Sequence, residues 1–166
     1  TGVIFPIEQI FGVCSKKGVL FHCDAVQAVG KVNVSCNSFD YLSISGHKFY
    51  APKGIGGLCI RNNAPTSPII HGGGQEWGYR GGTYNTSYIA GLGHAAQKVS
   101  QNIMIYQNEI SKLREYFENR ICSSIPGAYI NGRELPRIPN TSNFGISGFD
   151  SEIIINYLNQ FDIFIA

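Results

Sequence analysis

Three short apolar runs, separated by helical and loop segments, are the feature that most restricts how this chain can fold. They cover residues 19–23, 39–44 and 55–61, and the first two are followed directly by Asp24 and Ser45. All three runs predict strands, and the nearly continuous run at residues 19–23 fits a strand that is buried on both faces of a sheet. Because helices and loops lie between them, we predict an α/β fold with a mainly parallel sheet.

Helical patterns flank these runs. Residues 6–16 carry apolar side chains on one face, and a long helical region extends from about residue 87 to residue 123. In the later half of that region apolar residues recur at spacings of three and four, which predicts a stripe that faces the core. The stripe consists of Ile103, Tyr106, Ile110, Leu113, Phe117 and Ile121.

The segments become shorter after Pro126, and strand and helix patterns alternate. The elements predicted there are strands at residues 128–131 and 141–146, a helix at 150–159 capped by Asp150 or Ser151, and the start of another strand at 161–166. We therefore divide the chain into residues 1–100, part of a large domain, and residues 101–166. The second part comprises the long helix and a portion of a smaller α+β C-terminal domain.

Composition and charge exclude several classes of function. Of the 166 residues, 43% are hydrophobic and 14% are charged, which indicates a globular protein. The net charge of +2 gives no electrostatic reason to bind nucleic acid or an anionic membrane, and no apolar run approaches a membrane span in length. The cysteines form no C-x-x-C pair, so we predict no metal site and interpret them as small buried residues in a reducing cytoplasm. They are Cys14, Cys23, Cys36, Cys59 and Cys122.

Lys48 follows the second apolar run and is the candidate catalytic residue. A lysine just past a buried strand, in a partly desolvated pocket beside small and polar residues, is typical of a Schiff-base lysine that attacks an aldehyde. Asp24 follows the first run, and an acid there suits the pyridinium nitrogen of pyridoxal phosphate (PLP). Ligands bind at the carboxyl ends of strands in open α/β sheets, so we predict that both residues reach one PLP site. A surface lysine and a helix N-cap are the alternatives at these two positions.

Ser45 and His47 are candidate ligands of the PLP phosphate. The serine would bind through its hydroxyl group, and the histidine through a ring N–H or its backbone N–H. His22 lies two residues before Asp24 and therefore points to the same strand face. A hydrogen-bonded structural histidine explains it equally well, so we leave His22 outside the predicted site.

Three stretches of the chain resemble consecutive landmarks of the NifS/IscS-type cysteine desulfurases: DAVQAVGK (24–31), SISGHKFYAPKGIGGLCIR (43–61) and HGGGQEWGYRGGT (71–83). That family is a branch of the fold-type-I, class-V aminotransferase-like PLP enzymes. The resemblance implies that Gln27 contacts the ring hydroxyl of PLP. It also implies a homodimer in which Thr83 contacts the PLP phosphate of the neighbouring subunit. Without the resemblance, Gln27 is an ordinary polar residue and the glycine-rich loop is a flexible connector.

The resemblance implies a PLP-dependent cysteine desulfurase, which converts L-cysteine to L-alanine and retains the sulfur as an enzyme persulfide. The sulfur would then pass to an acceptor, such as an iron–sulfur scaffold protein, or to tRNA thiolation. The chain begins at Thr1 and stops at Ala166 inside an apolar segment, so we expect it to be an internal fragment with little activity by itself. The resemblance places the nucleophilic cysteine beyond residue 166. Another fold-type-I enzyme, such as a selenocysteine lyase or an aminotransferase, and a non-catalytic dimerisation scaffold are the alternatives.

Overall fold

The computed structural model describes residues 1–35 and 37–166, so Cys36, one of the cysteines interpreted above, lies outside the described residues. Its contacts divide the chain into two compact units, Phe5–Ile105 and the combination of Thr1–Ile4 with Tyr106–Ala166. The assignment of residues 1–100 and 101–166 to a large and a small domain stays a prediction. The helices and strands are, in chain order, α1 (Ile7–Lys16), β1 (His22–Asp24), β2 (Tyr41–Ser45), β3 (Gly56–Ile60), α2 (Thr86–Ser124), β4 (Ala128–Ile130), β5 (Phe144–Ile146) and α3 (Ser151–Asn159).

The strands of the first unit form one sheet in the order β1-β2-β3. Strands β1 and β2 are parallel, with Asp24 opposite Ser43, whereas β2 and β3 are antiparallel, with Ser45 opposite Gly56. A Cβ atom at Gly56 would lie 2.5 Å from the carbonyl oxygen of Ile44, so this strand pairing requires a glycine there. The predicted α/β class is confirmed, and the sheet combines one parallel with one antiparallel strand pair.

The core of this unit lies against one face of the sheet. Its most buried members, Ala25, Phe39 and Leu42, are each at most 4% exposed. The partly buried side chains packed around them are Phe21, Cys23, Ala28, Val29, Val34 and Ile44. Side chains alternate along a strand, so His22 and Asp24 point away from the core face, and both are exposed. The core thus covers one face of the sheet; the opposite face, called the polar face, carries His22, Asp24, Ser43 and Ser45 beside Leu58 of β3.

The prediction that residues 19–23 form a strand buried on both faces is wrong. Only His22–Asp24 is a strand, and Val19 and Leu20 are 55% and 52% exposed. The N–H of Val19 donates to the carbonyl oxygen of Cys14 at 2.9 Å, so this residue closes the C-terminal end of α1 instead of extending β1. Hydrophobicity alone does not distinguish these two uses of an apolar residue.

The second unit contains an antiparallel pair of strands, β4 and β5, inside the two runs for which strands are predicted. Helix α3 begins after Asp150, whose Oδ1 accepts a hydrogen bond from the N–H of Glu152 at 2.7 Å, so a predicted N-cap is confirmed. The prediction of a strand from residue 161 is wrong within the described residues. Asp162 has a φ of 56°, and the N–H of Ile163 donates to the carbonyl oxygen of Leu158, so the chain turns at the end of α3.

The apolar stripe on α2 is less buried than predicted. Leu113 is 63% exposed and Phe117 is 43% exposed, so the prediction that both belong to the core is wrong. The buried residue of this stretch is Glu118, which is 2% exposed and accepts hydrogen bonds from Arg137. The guanidinium replaces the hydration that the carboxylate loses on burial. None of the helices that the structure describes combines the length and hydrophobicity needed to span a membrane.

Candidate active site

Strands β1 and β2 run in parallel and therefore end at the same edge of the sheet. Asp24 is the last residue of β1 and lies opposite Ser43. Ser45 ends β2 two residues later, so its side chain points to the same face as that of Ser43. On this face His22 Nε2 lies 2.7 Å from Ser43 Oγ. The structure thus places Asp24 and Ser45 on one polar face, at one edge.

The Asp24 carboxylate is exposed and held in a defined orientation. Its Oδ1 accepts a hydrogen bond from the N–H of Val26 at 3.0 Å, which fixes the turn that follows β1. Its Oδ2 takes part in no hydrogen bond among the described residues. Asp24 can therefore make this N-cap-like contact through Oδ1 and still bind a ligand through Oδ2. Gln27 lies exposed in the same turn, three residues after Asp24.

The Lys48 turn, a 3-10 turn at Gly46–Phe49, follows β2 directly. Ser45 Oγ lies 2.9 Å from His47 Nδ1, so the two predicted phosphate ligands are in contact. Gly46 is buried, and a Cβ atom there would lie 3.0 Å from both Ala51 and Ile55, so a larger residue would displace the turn. Tyr50 ends the turn in the left-handed conformation, with a φ of 73°.

Lys48 itself is exposed, so the described residues do not form the partly desolvated pocket expected around its amine. Its backbone is held from the core side by a second lysine. The Nζ of Lys31, a residue only 6% exposed, donates a hydrogen bond to the carbonyl oxygen of Lys48 at 3.2 Å. Burial lowers the pKa of Lys31, and the nearby charge of Lys48 lowers it further.

The glycine-rich loop at residues 71–83 is ordered by its own polar groups. Gln75 Oε1 accepts a hydrogen bond from the N–H of Gly82 at 3.2 Å. A Cβ atom at Gly81 would lie 2.8 Å from the backbone of Gly72, so this close approach of two loop strands requires glycine. Thr83 is exposed, and no hydrogen bond among the described residues joins it to the other predicted site residues.

Two polar groups of this region were absent from the sequence-based site. Lys31 contacts the Lys48 turn, and His22 contacts Ser43 on the same face as Asp24. Lys31 is the last residue of the stretch DAVQAVGK, which carries part of the family resemblance. From the sequence alone, however, this lysine cannot be distinguished from an ordinary surface lysine. The part of the chain that the structure describes contains no group of three or more potential metal ligands.

The fold and this edge of the sheet define a class of protein. The chain belongs to the class-V aminotransferase family, whose model matches residues 1–166, and enzymes of this family depend on PLP. Among its curated relatives, a cysteine desulfurase of Trichormus azollae is 42% identical over 165 residues, and the cysteine desulfurase NifS of Azotobacter vinelandii is 40% identical over 165 residues. Each match covers 98% of this chain but 41% of the relative. The chain thus spans less than half the length of these curated relatives.

Solved structures agree with this assignment. A NifS-like protein from Rickettsia africae matches 99% of this chain and 46% of its own, with a TM-score of 0.90 and 32% identity. The protein SspA, solved in complex with cysteine, matches 96% of this chain and 43% of its own, with a TM-score of 0.73 and 34% identity. The resemblance to NifS/IscS-type enzymes inferred from sequence motifs is confirmed.

The residues present fit PLP. This cofactor needs a lysine for its aldehyde, an acid for its ring nitrogen and hydrogen-bond donors for its phosphate. Lys48, Asp24 and the contacting pair of Ser45 and His47 supply these three kinds of group at, or directly after, one edge of the sheet. The exposed polar face leaves these groups accessible to a ligand.

Proposed function

We propose that this chain is part of a cysteine desulfurase, which removes the sulfur of L-cysteine to give L-alanine and a persulfide on an enzyme cysteine. The observation that carries the proposal is the placement of Asp24, Ser45 and the Lys48 turn at one edge of the sheet. The names of the relatives favour desulfurase over aminotransferase chemistry, and the SspA structure in complex with cysteine supports L-cysteine as substrate.

Bound PLP supplies an aldehyde that captures amines and a ring that withdraws electrons from the substrate Cα. Lys48 would present its Nζ to that aldehyde, and its free Nζ would be the group that accepts the proton of the substrate Cα. The Asp24 carboxylate would accept a hydrogen bond from the protonated ring nitrogen. Ser45 and His47 would bind the phosphate, and Gln27 would contact the ring hydroxyl.

The persulfide would form when a cysteine thiolate attacks the substrate sulfur and the Cβ–S bond breaks; the electron pair of that bond would stay on Cβ, which would take up a proton to become the methyl group of L-alanine. Cys23 is a poor candidate for this nucleophile, because burial and the negative charge of Asp24 raise the pKa of its thiol. Cys23 also belongs to the core face of the sheet, opposite the face that carries Asp24. Because the resemblance places the nucleophilic cysteine beyond residue 166, we assign the attack to a cysteine outside residues 1–166.

The remaining parts of the proposal concern the assembly. We propose a cytoplasmic homodimer in which Thr83 contacts the PLP phosphate of the neighbouring subunit, and an iron–sulfur scaffold or a tRNA-thiolating protein as sulfur acceptor. The relatives named NifS and IscS support the connection to iron–sulfur cluster assembly. The exposure of Thr83 is compatible with a contact to a second subunit.

Borohydride reduction of the full-length protein with PLP, followed by peptide mass spectrometry, tests the site. We expect a pyridoxyl adduct on Lys48 that is lost in Lys48→Arg and retained in Lys53→Arg, a matched control at an exposed lysine five residues away. Absence of the adduct in the wild-type protein would favour a non-catalytic scaffold. Release of alanine and sulfide from L-cysteine then distinguishes a desulfurase from an aminotransferase, which would release neither.

A further inference from the structure

We propose that Lys31 is a positioning residue for Lys48. Its buried ammonium group forms a hydrogen bond with the backbone of the Lys48 turn and thereby restrains the position of the Lys48 amine at the edge of the sheet. This inference rests on the proposed role of Lys48 as the lysine that captures PLP. Lys31 itself touches neither substrate nor cofactor in this proposal, and it acts through the main chain of Lys48.

Burial of the Lys31 ammonium group costs free energy that its partners must offset. Lys31 is 6% exposed, although lysine is almost never fully buried unless its charge is compensated. The compensation includes the hydrogen bond from Lys31 Nζ to the carbonyl oxygen of Lys48, at 3.2 Å across 17 residues of sequence. A charged donor strengthens such a bond, so it restrains the carbonyl more than a neutral donor would.

A close steric contact lies beside this hydrogen bond. Gly30 has a φ of 79°, and a Cβ atom there would lie 2.6 Å from the Cβ of Phe49. Phe49 is 1% exposed, so the residue after Lys48 is anchored in the interior. Two neighbouring residues, Gly30 and Lys31, therefore hold two neighbouring residues of the Lys48 turn.

The charges of Lys31 and Lys48 also interact. The charge of Lys48 contributes to the lowered pKa of Lys31, after burial as the larger cause. The two ammonium groups are therefore close enough for their charges to interact, although Lys31 is buried and Lys48 is exposed. The 24–31 segment thus contacts the Lys48 turn through a hydrogen bond and through the close packing of Gly30 on Phe49.

The test compares Lys31→Met, Lys31→Arg and Lys98→Met in the full-length protein. Methionine keeps the length of the side chain but cannot donate, arginine keeps a charged donor, and Lys98 is an exposed lysine of α2 in the same unit. Each protein is stripped of PLP, supplied with PLP again and quenched with borohydride at intervals. The measured quantities are the rate at which the Lys48 adduct appears, the apparent Kd for PLP, and the thermal unfolding midpoint.

We expect Lys31→Met to slow adduct formation or weaken PLP binding by about tenfold, the factor expected for a lost hydrogen bond from a charged donor. Lys31→Arg should restore most of that loss, and Lys98→Met should resemble the wild type. If folded Lys31→Met captures PLP as the wild type does, and only its unfolding midpoint falls, Lys31 is merely structural and the proposal is wrong. If Lys31→Met does not fold, Lys31→Leu, which also lacks a donor, replaces it under the same criterion. Failure of the wild-type protein to form any Lys48 adduct would instead overturn the proposed function.

Discussion

The buried ion pair of Glu118 and Arg137 offers the most direct test of how the second unit is stabilised. The two side chains are 3% and 4% exposed, and two hydrogen bonds of 2.7 Å join the guanidinium to both carboxylate oxygens. Arg114 is also close, with its Nε 4.0 Å from Glu118 Oε1 and one of its amino groups donating to the carbonyl oxygen of Ile138. The perturbation that we consider is Glu118→Gln, which keeps the shape of the side chain and removes its charge.

This substitution leaves Arg137 buried without its counter-charge. Removing one partner of a buried ion pair costs about 3–5 kcal/mol in the free energy of unfolding, a large part of the total stability of a typical domain. Arg137→Met should cost a similar amount, because it removes both short hydrogen bonds of the buried carboxylate and leaves only the more distant Arg114 near it. The double variant Glu118→Met with Arg137→Met removes both charges, so its stability should lie much closer to that of the wild type than the two single losses would suggest.

The assay must report on the second unit itself. Trp77, the single tryptophan, lies in the first unit, so its fluorescence is a poor probe here. Native-state hydrogen exchange at the backbone N–H groups of Asn131 and Ile138 is suitable, because both are bonded within the second unit, to the carbonyl oxygens of Asn143 and Gly2. A change below about 1 kcal/mol in Glu118→Gln, within the range of exposed ion pairs, would refute the reasoning.

The same pair makes the stability of this unit depend on pH. Hydrogen bonding to Arg137 lowers the pKa of Glu118 in the folded protein below the ordinary value of 4.5. A group whose pKa is lower in the folded than in the unfolded state contributes stability that is fully present above the unfolded value. That contribution is lost as the pH falls through the folded value. Exchange measured from pH 6 downwards should show this loss in the wild type, and the loss should be smaller in Glu118→Gln.

Two further predictions concern the first unit. Asp40 is 2% exposed and pairs with Arg61, whose side chain is 48% exposed. Asp40→Asn should therefore lower the free energy of unfolding by about 1–3 kcal/mol, and by more than Arg61→Met does. Urea unfolding followed by circular dichroism measures both changes. Equal costs would contradict this ranking. Gly30→Ala should lower the thermal unfolding midpoint, because a Cβ atom at this positive-φ position would lie 2.6 Å from Phe49. The control Gly93→Ala, in α2 with nothing within 4 Å of its Cβ position, should instead stabilise by about 0.5–1 kcal/mol.

The local elements were predictable because short-range chemistry specifies them. The long helix, the two later strands and the Asp150 cap all lie where spacing and residue type place them. The apolar residues at 19–20 show the limit of this information. They satisfy a strand pattern but terminate a helix, because a backbone hydrogen bond to Cys14 outweighs the pattern.

The sequence by itself determined the α/β class, the order of the elements and the family, since motifs such as SGHK are contiguous and resemble those of known enzymes. Only the tertiary structure decided which face of the sheet is polar, that Glu118 and not Leu113 is buried on α2, and that Lys31 reaches the backbone of Lys48. The physical reason is distance along the chain. The hydrogen-bond partners of Glu118 and Lys31 lie 19 and 17 residues away in the sequence. Contacts between residues so far apart arise from tertiary packing, and a local sequence pattern does not predict them.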